Sequence, residues 1–295
     1  VLFVAASQGG GKTEILLNAI GYFADADPCP QLIVEPNLEM AEALSKDRLA
    51  PMIRETPALA RKFKDPRSRD SGNTIRNKDF PAGHVALVGA NSPAGLAMRP
   101  VRFLGADEID RWERSAGTEG NPLAIAEART TAFWNAVKYY TTSPGIKHHS
   151  ESWALWTHSD QREWIVACPD CGHRQRLLWE NVHWEKDEDG HNDAETAIYA
   201  CASCGVAWDD ATRWAASERG QYEPTAKYRG LFGARLSGLA IIGRRLSEIV
   251  KKWLRAQGDP EKRKAFANTV LTEWWEDEAE VLPDQNELAK RREPW

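Results

Sequence analysis

The first apolar block of the chain, Val1-Leu2-Phe3-Val4-Ala5-Ala6, reads as a buried strand. A glycine-rich turn follows it. Beyond the turn, Ile15, Leu16, Ala19, Ile20 and Phe23 recur at helical spacing, which predicts a helix beginning near Lys12. Residues 31–36 form a second short β-branched run bounded by prolines, and 37–48 return to a helical pattern. Strand, helix, strand, helix in that order predicts a βαβ unit and a parallel sheet covered on both faces. Pro51, Pro57 and Pro66 break 50–70 into short helices and loops. Segments 74–80 and 84–88, joined by Pro81-Ala82-Gly83, read as a hairpin or two adjacent strands. Further strands are expected over 101–108 and 137–142. From Tyr228 the pattern Leu231, Phe232, Leu236, Leu239, Ile241, Ile242 predicts a strand that rejoins the main sheet, followed by helices over 246–257 and 260–275.

With 295 residues the chain can build one large core and a smaller satellite. A net charge of -5 argues against a surface that coats nucleic acid wholesale, but it leaves room for a local basic face. Charge is in fact segregated. Arg244, Arg245, Lys251, Lys252, Arg255, Lys262, Arg263 and Lys264 make a basic stretch, which the acidic Glu273, Glu276, Asp277, Glu278 and Glu280 follow. No apolar run approaches the roughly 20 residues of a membrane span, and no leader pattern opens the chain, so a soluble, intracellular protein without membrane partners is expected. The start in mid-strand without Met suggests a piece of something longer.

The turn Ser7-Gln8-Gly9-Gly10-Gly11-Lys12-Thr13-Glu14 carries the first chemistry. Consecutive glycines let backbone N–H groups converge on a polyphosphate, and the helix N-terminus adds a favourable dipole. Lys12 would reach the outer phosphates and the Thr13 hydroxyl would ligate magnesium. The Walker A pattern fits from its second position onward, with Ala6 in place of the first glycine. The bland alternative is a glycine-rich connection that happens to carry Lys-Thr.

The segment 101–108 ends in Asp107-Glu108, and an apolar strand ending in two carboxylates suits a magnesium nucleotide site. Asp107 takes the metal and Glu108 polarises the attacking water, a Walker B arrangement; the alternative is a solvated strand terminus. Arg102 and Gly105 make this strand less apolar than the ideal. Asn77-Lys78-Asp79-Phe80 resembles a guanine-reading motif, but Phe80 stands where an aspartate is needed, so GTP specificity is rejected. Thr141-Thr142-Ser143-Pro144-Gly145 places hydroxyls at a strand end, where they can sense a γ-phosphate or simply make a polar turn.

Cys168-Pro169-Asp170-Cys171-Gly172 and Cys201-Ala202-Ser203-Cys204-Gly205 are two Cys-x-x-Cys knuckles. Four thiolates so paired suit tetrahedral zinc, with a glycine after each pair to permit the tight turn; disulfides or redox dithiols are the competing reading. A closed shell of four sulfurs makes the site structural. Cys29 is left over as an inert thiol. Trp153, Trp156, Trp164, Trp179, Trp184, Trp208 and Trp214 are expected to cluster around the metal, mostly as packing.

In this order the landmarks resemble the ATPase part of tailed-phage terminase large subunits of the lambda type. The resemblance rests on Ser7-Gln8 through Glu14, Pro28, Glu35-Pro36, Gly89-Ala90-Asn91-Ser92-Pro93, Asp107-Glu108-Ile109-Asp110-Arg111, Thr142-Ser143-Pro144, Asp160-Gln161-Arg162, the two knuckles and Phe266-Ala267-Asn268-Thr269-Val270-Leu271. It implies an α/β P-loop NTPase (RecA/ASCE-like), a mainly parallel sheet flanked by helices with an inserted zinc-ribbon subdomain. The expected division is an ATPase core over 1–150, the zinc-ribbon insertion over 151–215 and a return to the ATPase domain with C-terminal helices over 216–295. The implied activity is ATP hydrolysis that drives double-stranded DNA into a procapsid. The chain would form a ring on the portal protein, with a small terminase subunit, in the host cytoplasm.

By the same resemblance Gln8 to Glu14 and Thr142 bind ATP, Lys12 and Glu108 are catalytic, and Thr13 and Asp107 hold Mg2+. Cys168, Cys171, Cys201 and Cys204 hold Zn2+, and Thr141, Thr142 and Ser143 form a coupling motif. A neighbour's arginine completes such ring sites; Arg99 is the candidate, with Arg102 and Arg129 in reserve. Family members carry a C-terminal nuclease, and cleavage is expected to be absent from this chain. Departures from the family pattern are Ala6, Arg102 and Thr141-Thr142-Ser143-Pro144, where Ser-Thr-Pro is more usual. Competing readings are a helicase-like translocase, which needs a second RecA-like lobe, and a non-catalytic zinc-ribbon adaptor with a vestigial pocket.

Overall fold

In the computed structural model the chain opens with β1 (Leu2–Ala5), every residue of which is buried. The structure describes residues 1–63 and 72–276; the predicted loops over 64–70 and the acidic residues from Asp277 onward lie outside the described residues. Helix α1 (Lys12–Asp25) follows the glycine turn, and β2 (Gln31–Glu35) is again wholly buried. Asn37 caps the next helix, accepting from the Met40 N–H at 2.9 Å. That helix runs as α2 (Leu38–Ala43), a π-helical turn (Leu44–Leu49) and α3 (Ala50–Glu55), and the short α4 (Pro57–Ala60) follows. The segments expected as a hairpin are β3 (Asn77–Phe80) and β4 (Gly83–Gly89), paired antiparallel. Then come α5 (Pro93–Ala97), β5 (Phe103–Ala106), α6 (Pro122–Ala128), β6 (Val137–Thr142) and α7 (Glu151–His158).

The second half continues with β7 (Arg162–Ala167), β8 (Arg174–Arg176), β9 (Val182–Lys186), β10 (Asn192–Ala200), β11 (Ala207–Trp208), α8 (Asp210–Glu218), β12 (Gln221–Pro224) and β13 (Gly233–Leu236). It closes with α9 (Leu246–Ala256) and α10 (Pro260–Phe266). The large sheet has the order β12-β7-β13-β1-β6-β5-β2-β4-β3, with β8 also on β7. Every neighbouring pair from β7 through β4 is parallel, and β3, β8 and β12 are antiparallel additions at the two ends. The rejoining strand is β13, which lies parallel beside β1. Strand β6 is placed between β1 and β5, so the ends of all three meet.

Alternate residues of the central strands feed two cores, as the pleat requires. Phe3, Ala5, Ile33 and Phe103 pack with Leu16, Leu17, Ile20 and Phe23 of α1. Leu2, Val4, Leu32, Val34 and Leu104 pack on the other face with Leu96, Leu123, Ala126 and Trp156. A third core joins the cysteine module to α9 and α10 through Val182, Tyr199, Trp208, Ile249, Val250 and Phe266. There β9, β10 and β11 form a separate antiparallel sheet. Helix α7 and strand β7, both within the expected 151–215 insertion, lie with the large sheet. No helix among the described residues is long and apolar enough to cross a membrane.

Four local expectations are corrected. Ile15 is 42% exposed, and Leu17 takes its place on the buried face of α1. The last helix stops well short of Trp275: α10 gives way to a π-helical turn (Ala267–Leu271), and Thr272 then takes a left-handed φ of 59°. Trp153 and Trp156 stack edge-on or tilted against Trp274 in the large-sheet core, away from the cysteines. Arg102 precedes β5 rather than lying in it, pairs with Asp27 and sits over the Phe23 ring.

Gly105 has a packing reason. A Cβ there would stand 2.5 Å from Leu16 Cδ1 and 3.0 Å from Ile33 Cδ1, so α1 approaches β5 more closely than any larger residue allows. Gly105→Ala is therefore expected to lower stability by about 1–3 kcal/mol through overpacking. Urea unfolding checks it, and an unchanged midpoint would show that α1 can step back at no cost.

Candidate functional site

The carboxyl ends of β1, β6, β5 and β2 converge on one edge of the sheet, where parallel α/β folds bind ligands. The glycine turn lies there. Gly9 and Gly11 both have φ of 74°, and a Cβ on Gly10 would meet Ala5 Cβ and Ala6 O at 2.8 Å, so the turn's path suits glycine at all three positions. Ala6, Ser7, Gly9, Gly10, Gly11, Lys12, Thr13, Glu14, Arg48 and Glu108 line a cleft of about 390 Å³. Gln8 is exposed and does not line it.

Lys12 is only 5% exposed. Its Nζ donates to Ser143 Oγ at 2.9 Å and to the Ala5 and Ala6 carbonyls at 3.3 Å, and lies 3.2 Å from Glu108 Oε1. The Tyr139 hydroxyl donates to the Lys12 carbonyl at 3.1 Å, fixing the start of α1. Thr13 Oγ1 stands 3.5 Å from Asp107 Oδ2, so the two expected magnesium ligands face each other. Glu108 holds a left-handed φ of 50°, which turns the chain so that its carboxylate points back at Lys12. The Ser143 N–H approaches Glu108 Oε2 at 3.4 Å, and Arg111 lies 3.4 Å from the same oxygen. The structure thus brings Lys12, Thr13, Asp107, Glu108 and Ser143 together.

Glu35, at the end of β2, joins this group, and the sequence reading assigned it no role. It is 4% exposed, and burial first, then Asp107 and Glu108, push its carboxyl far up. Asp107 is pushed up by burial and by Glu108, with Lys12 opposing. The three carboxyls lie near enough at adjacent strand ends to disfavour one another's charge. The sequence signals for Glu35 were a charge closing an otherwise buried strand and its place in the Glu35-Pro36 landmark, neither of which pointed to Asp107.

Thr142 does not reach the cleft. It is fully buried and donates to the Ser143 carbonyl at 2.8 Å, while Thr141 donates to the Phe3 carbonyl at 2.9 Å. Ser143 is the hydroxyl that faces Lys12. Just beyond, Asp110 accepts from the N–H groups of Gly145 and Ser152, both at 2.8 Å, tying β5 to the turn after β6. Arg99 is exposed on the rim of a different cavity, of about 460 Å³, beside His84 and Met98, and makes no ion pair with a described residue. Of its reserves, Arg102 is held by Asp27 and Arg129 donates to the Ala97 carbonyl at 3.2 Å.

The four knuckle cysteines place their sulfurs within 4.8 Å of one another. Cys168 to Cys204 is 3.9 Å and Cys171 to Cys201 is 3.8 Å. Those separations match the edge, about 3.8 Å, of a tetrahedron with 2.3 Å zinc–sulfur bonds. The knuckles are near copies: Gly172 and Gly205 both have φ of 72°, and each donates back to the first cysteine's carbonyl, at 3.0 and 2.9 Å. Cys201 Sγ also accepts from the Ser203 N–H and the Gln175 amide. This arrangement is compatible with zinc.

Comparison with known proteins agrees with the geometry. The family model described as the phage terminase large subunit gpA, ATPase domain, matches residues 1–222. The model of the terminase large subunit gpA endonuclease domain matches residues 232–295, although β13 within that range is a central strand of the large sheet. The chain is 25% identical over 314 residues to the terminase large subunit of Escherichia phage lambda, with 98% of this chain and 48% of the relative covered. It is likewise 25% identical over 301 residues to that of Enterobacteria phage P21, with 90% and 45% covered. The chain thus spans about half the length of these curated relatives. Among solved structures, the large terminase ATPase domain of Thermus phage P74-26 aligns at a TM-score of 0.51 and 13% identity, covering 93% of this chain and 88% of that one. The HK97 bacteriophage large terminase aligns at 0.51 and 11% identity, covering 92% and 46%. The chain belongs to the gpA family of phage terminase large subunits, of which it carries the ATPase domain.

Proposed function

We propose that this chain hydrolyses ATP and that the hydrolysis drives double-stranded DNA into a procapsid. The observation that carries the reading is that Lys12, Thr13 and Glu108 line one cleft, with Ser143 on Lys12 and Asp107 facing Thr13 just behind them. In it the glycine turn and the first N–H groups of α1 bind the polyphosphate. Lys12 exchanges Glu108 for an outer phosphate. Thr13 and Asp107 fit a hard cation that keeps several waters; magnesium bound there would neutralise charge on the transferring phosphoryl group. Glu108, released from Lys12, orients and polarises the attacking water. Ser143 then registers which phosphates are present, and Asp110 connects it to α7. A single large sheet among the described residues favours this reading over a helicase with two lobes.

Ring assembly on a portal, a small terminase partner and a neighbour's Arg99 in the site belong to the same proposal. Arg99 is supported by its exposed guanidinium, which makes no ion pair with a described residue. For DNA contact, Lys252 and Arg255 of α9 are exposed, whereas Lys251 is held by Glu195. Zinc at Cys168, Cys171, Cys201 and Cys204 holds the module over 168–208 together. The proposed division is an ATPase core over 1–150, an insertion over 151–215 whose α7 and β7 pack with the large sheet, and a return over 216–295.

ATP turnover and binding test the cleft. Glu108→Gln is expected to lose about 10² to 10⁴ in rate while still binding ATP, and Lys12→Ala to lose both. Equally negligible turnover in wild type and both variants would favour a non-catalytic adaptor.

Metal analysis tests the cysteines. One zinc per chain is expected, lost in Cys168→Ser together with the order of β9, β10 and β11, since structural zinc binds with roughly 10–16 kcal/mol. Zinc-free protein with an intact fold would remove the site.

A further inference from the structure

The cleft holds a cation that the sequence reading did not assign. Arg48 lines it together with the glycine turn and Glu108. It comes from the π-helical turn between α2 and α3, where Leu44, Ser45 and Leu49 are buried and Lys46, Asp47 and Arg48 are exposed. Single π-helical turns of this kind are rare and concentrate at functional sites. The Ser45 hydroxyl donates to the Ile75 carbonyl and pins the turn from below.

The Arg48 guanidinium pairs with Glu14, in the first turn of α1, which also lines the cleft. Arg48 is 47% exposed and Glu14 62% exposed, so the pair is solvent-screened and easily exchanged. A polyphosphate is the stronger partner: it carries more charge than one carboxylate and accepts a guanidinium in bidentate fashion. Among the described residues, Arg48 is the one arginine that lines this cleft. Arg111 is beside Glu108, Arg102 is on Asp27, and Arg99 lies at another cavity.

We propose that Arg48 is a phosphate-binding residue acting within its own chain, released from Glu14 when a nucleoside polyphosphate enters the glycine turn. Glu14, which the resemblance places among the ATP-binding residues, is then instead a competing carboxylate that parks the guanidinium, and not itself a nucleotide contact. The inference rests on the nucleotide-site reading above. It is independent of whether a neighbour supplies a second arginine.

The two residues should act in opposite directions, which a merely structural ion pair would not do. Calorimetric titration of ATP and ADP into the chain with magnesium, for wild type, Arg48→Ala, Arg48→Lys, Glu14→Gln and Lys12→Ala, reads this directly. Arg48→Ala should weaken ATP binding by about tenfold or more, the scale of a lost hydrogen bond to a charged group. Arg48→Lys should recover part of the loss, and Glu14→Gln should bind ATP as tightly as wild type or more tightly. An equal loss for ADP places the contact on the inner phosphates, and a loss for ATP alone places it on the outermost one; both support the proposal. Arg48→Ala within twofold of wild type for both nucleotides, or Glu14→Gln and Arg48→Ala weakened alike, would overturn it. If wild type itself binds neither nucleotide, or Lys12→Ala binds as well as wild type, the nucleotide-site reading is what fails.

Discussion

The site is organised around one buried ammonium group. Lys12 is almost wholly removed from solvent, and a charge so placed must be surrounded by oxygen. Two carbonyls from the end of β1, the Ser143 hydroxyl from the end of β6 and the Glu108 carboxylate from the end of β5 supply it. Satisfying one cation therefore fixes three strand ends relative to each other. Under the proposed function the same contacts would prepare a response, because a phosphate oxygen taking Lys12 would release Glu108 and Ser143 together.

Strand order is what makes this possible. Because β6 lies between β1 and β5, Ser143 can touch the glycine turn and the acidic pair at once. The C-terminal segment is fastened to both sides of the site. Thr269 accepts from the Ser7 N–H at 3.0 Å, Ile241 packs against Gly9, and Trp275 exchanges hydrogen bonds with Gly145 and Lys147 at 3.1 and 2.9 Å. The range matched by the endonuclease-domain model is thus partly woven into the ATPase fold, with β13 as the strand next to β1.

What was legible in the sequence was local. The glycine turn, the Asp107-Glu108 pair and the two cysteine knuckles each carry their candidate chemistry within a few residues; the first two meet at Lys12 and the four sulfurs lie within 4.8 Å of one another. The parallel sheet followed from alternating strand and helix patterns, down to the return of residues near 233. What was not legible depends on contacts distant in sequence or on irregular backbone. Ser143 and Thr142 differ by one position, and only the end of β6 decides which hydroxyl faces Lys12. Glu35 gains meaning only from the pairing of β2 with β5. Arg48 reaches the cleft from a widened helical turn that no 3.6-residue pattern foretells, and the aromatic pairing of Trp153 and Trp156 with Trp274 spans more than a hundred residues.

The most direct test of the account is a structure of the chain with magnesium and a non-hydrolysable ATP analogue. It should show Lys12 Nζ on a phosphate oxygen, Glu108 freed from it and turned toward the γ-phosphorus, and the metal between Thr13 and Asp107. An analogue bound elsewhere, or one bound in the glycine turn with Lys12 and Glu108 still paired, would contradict it.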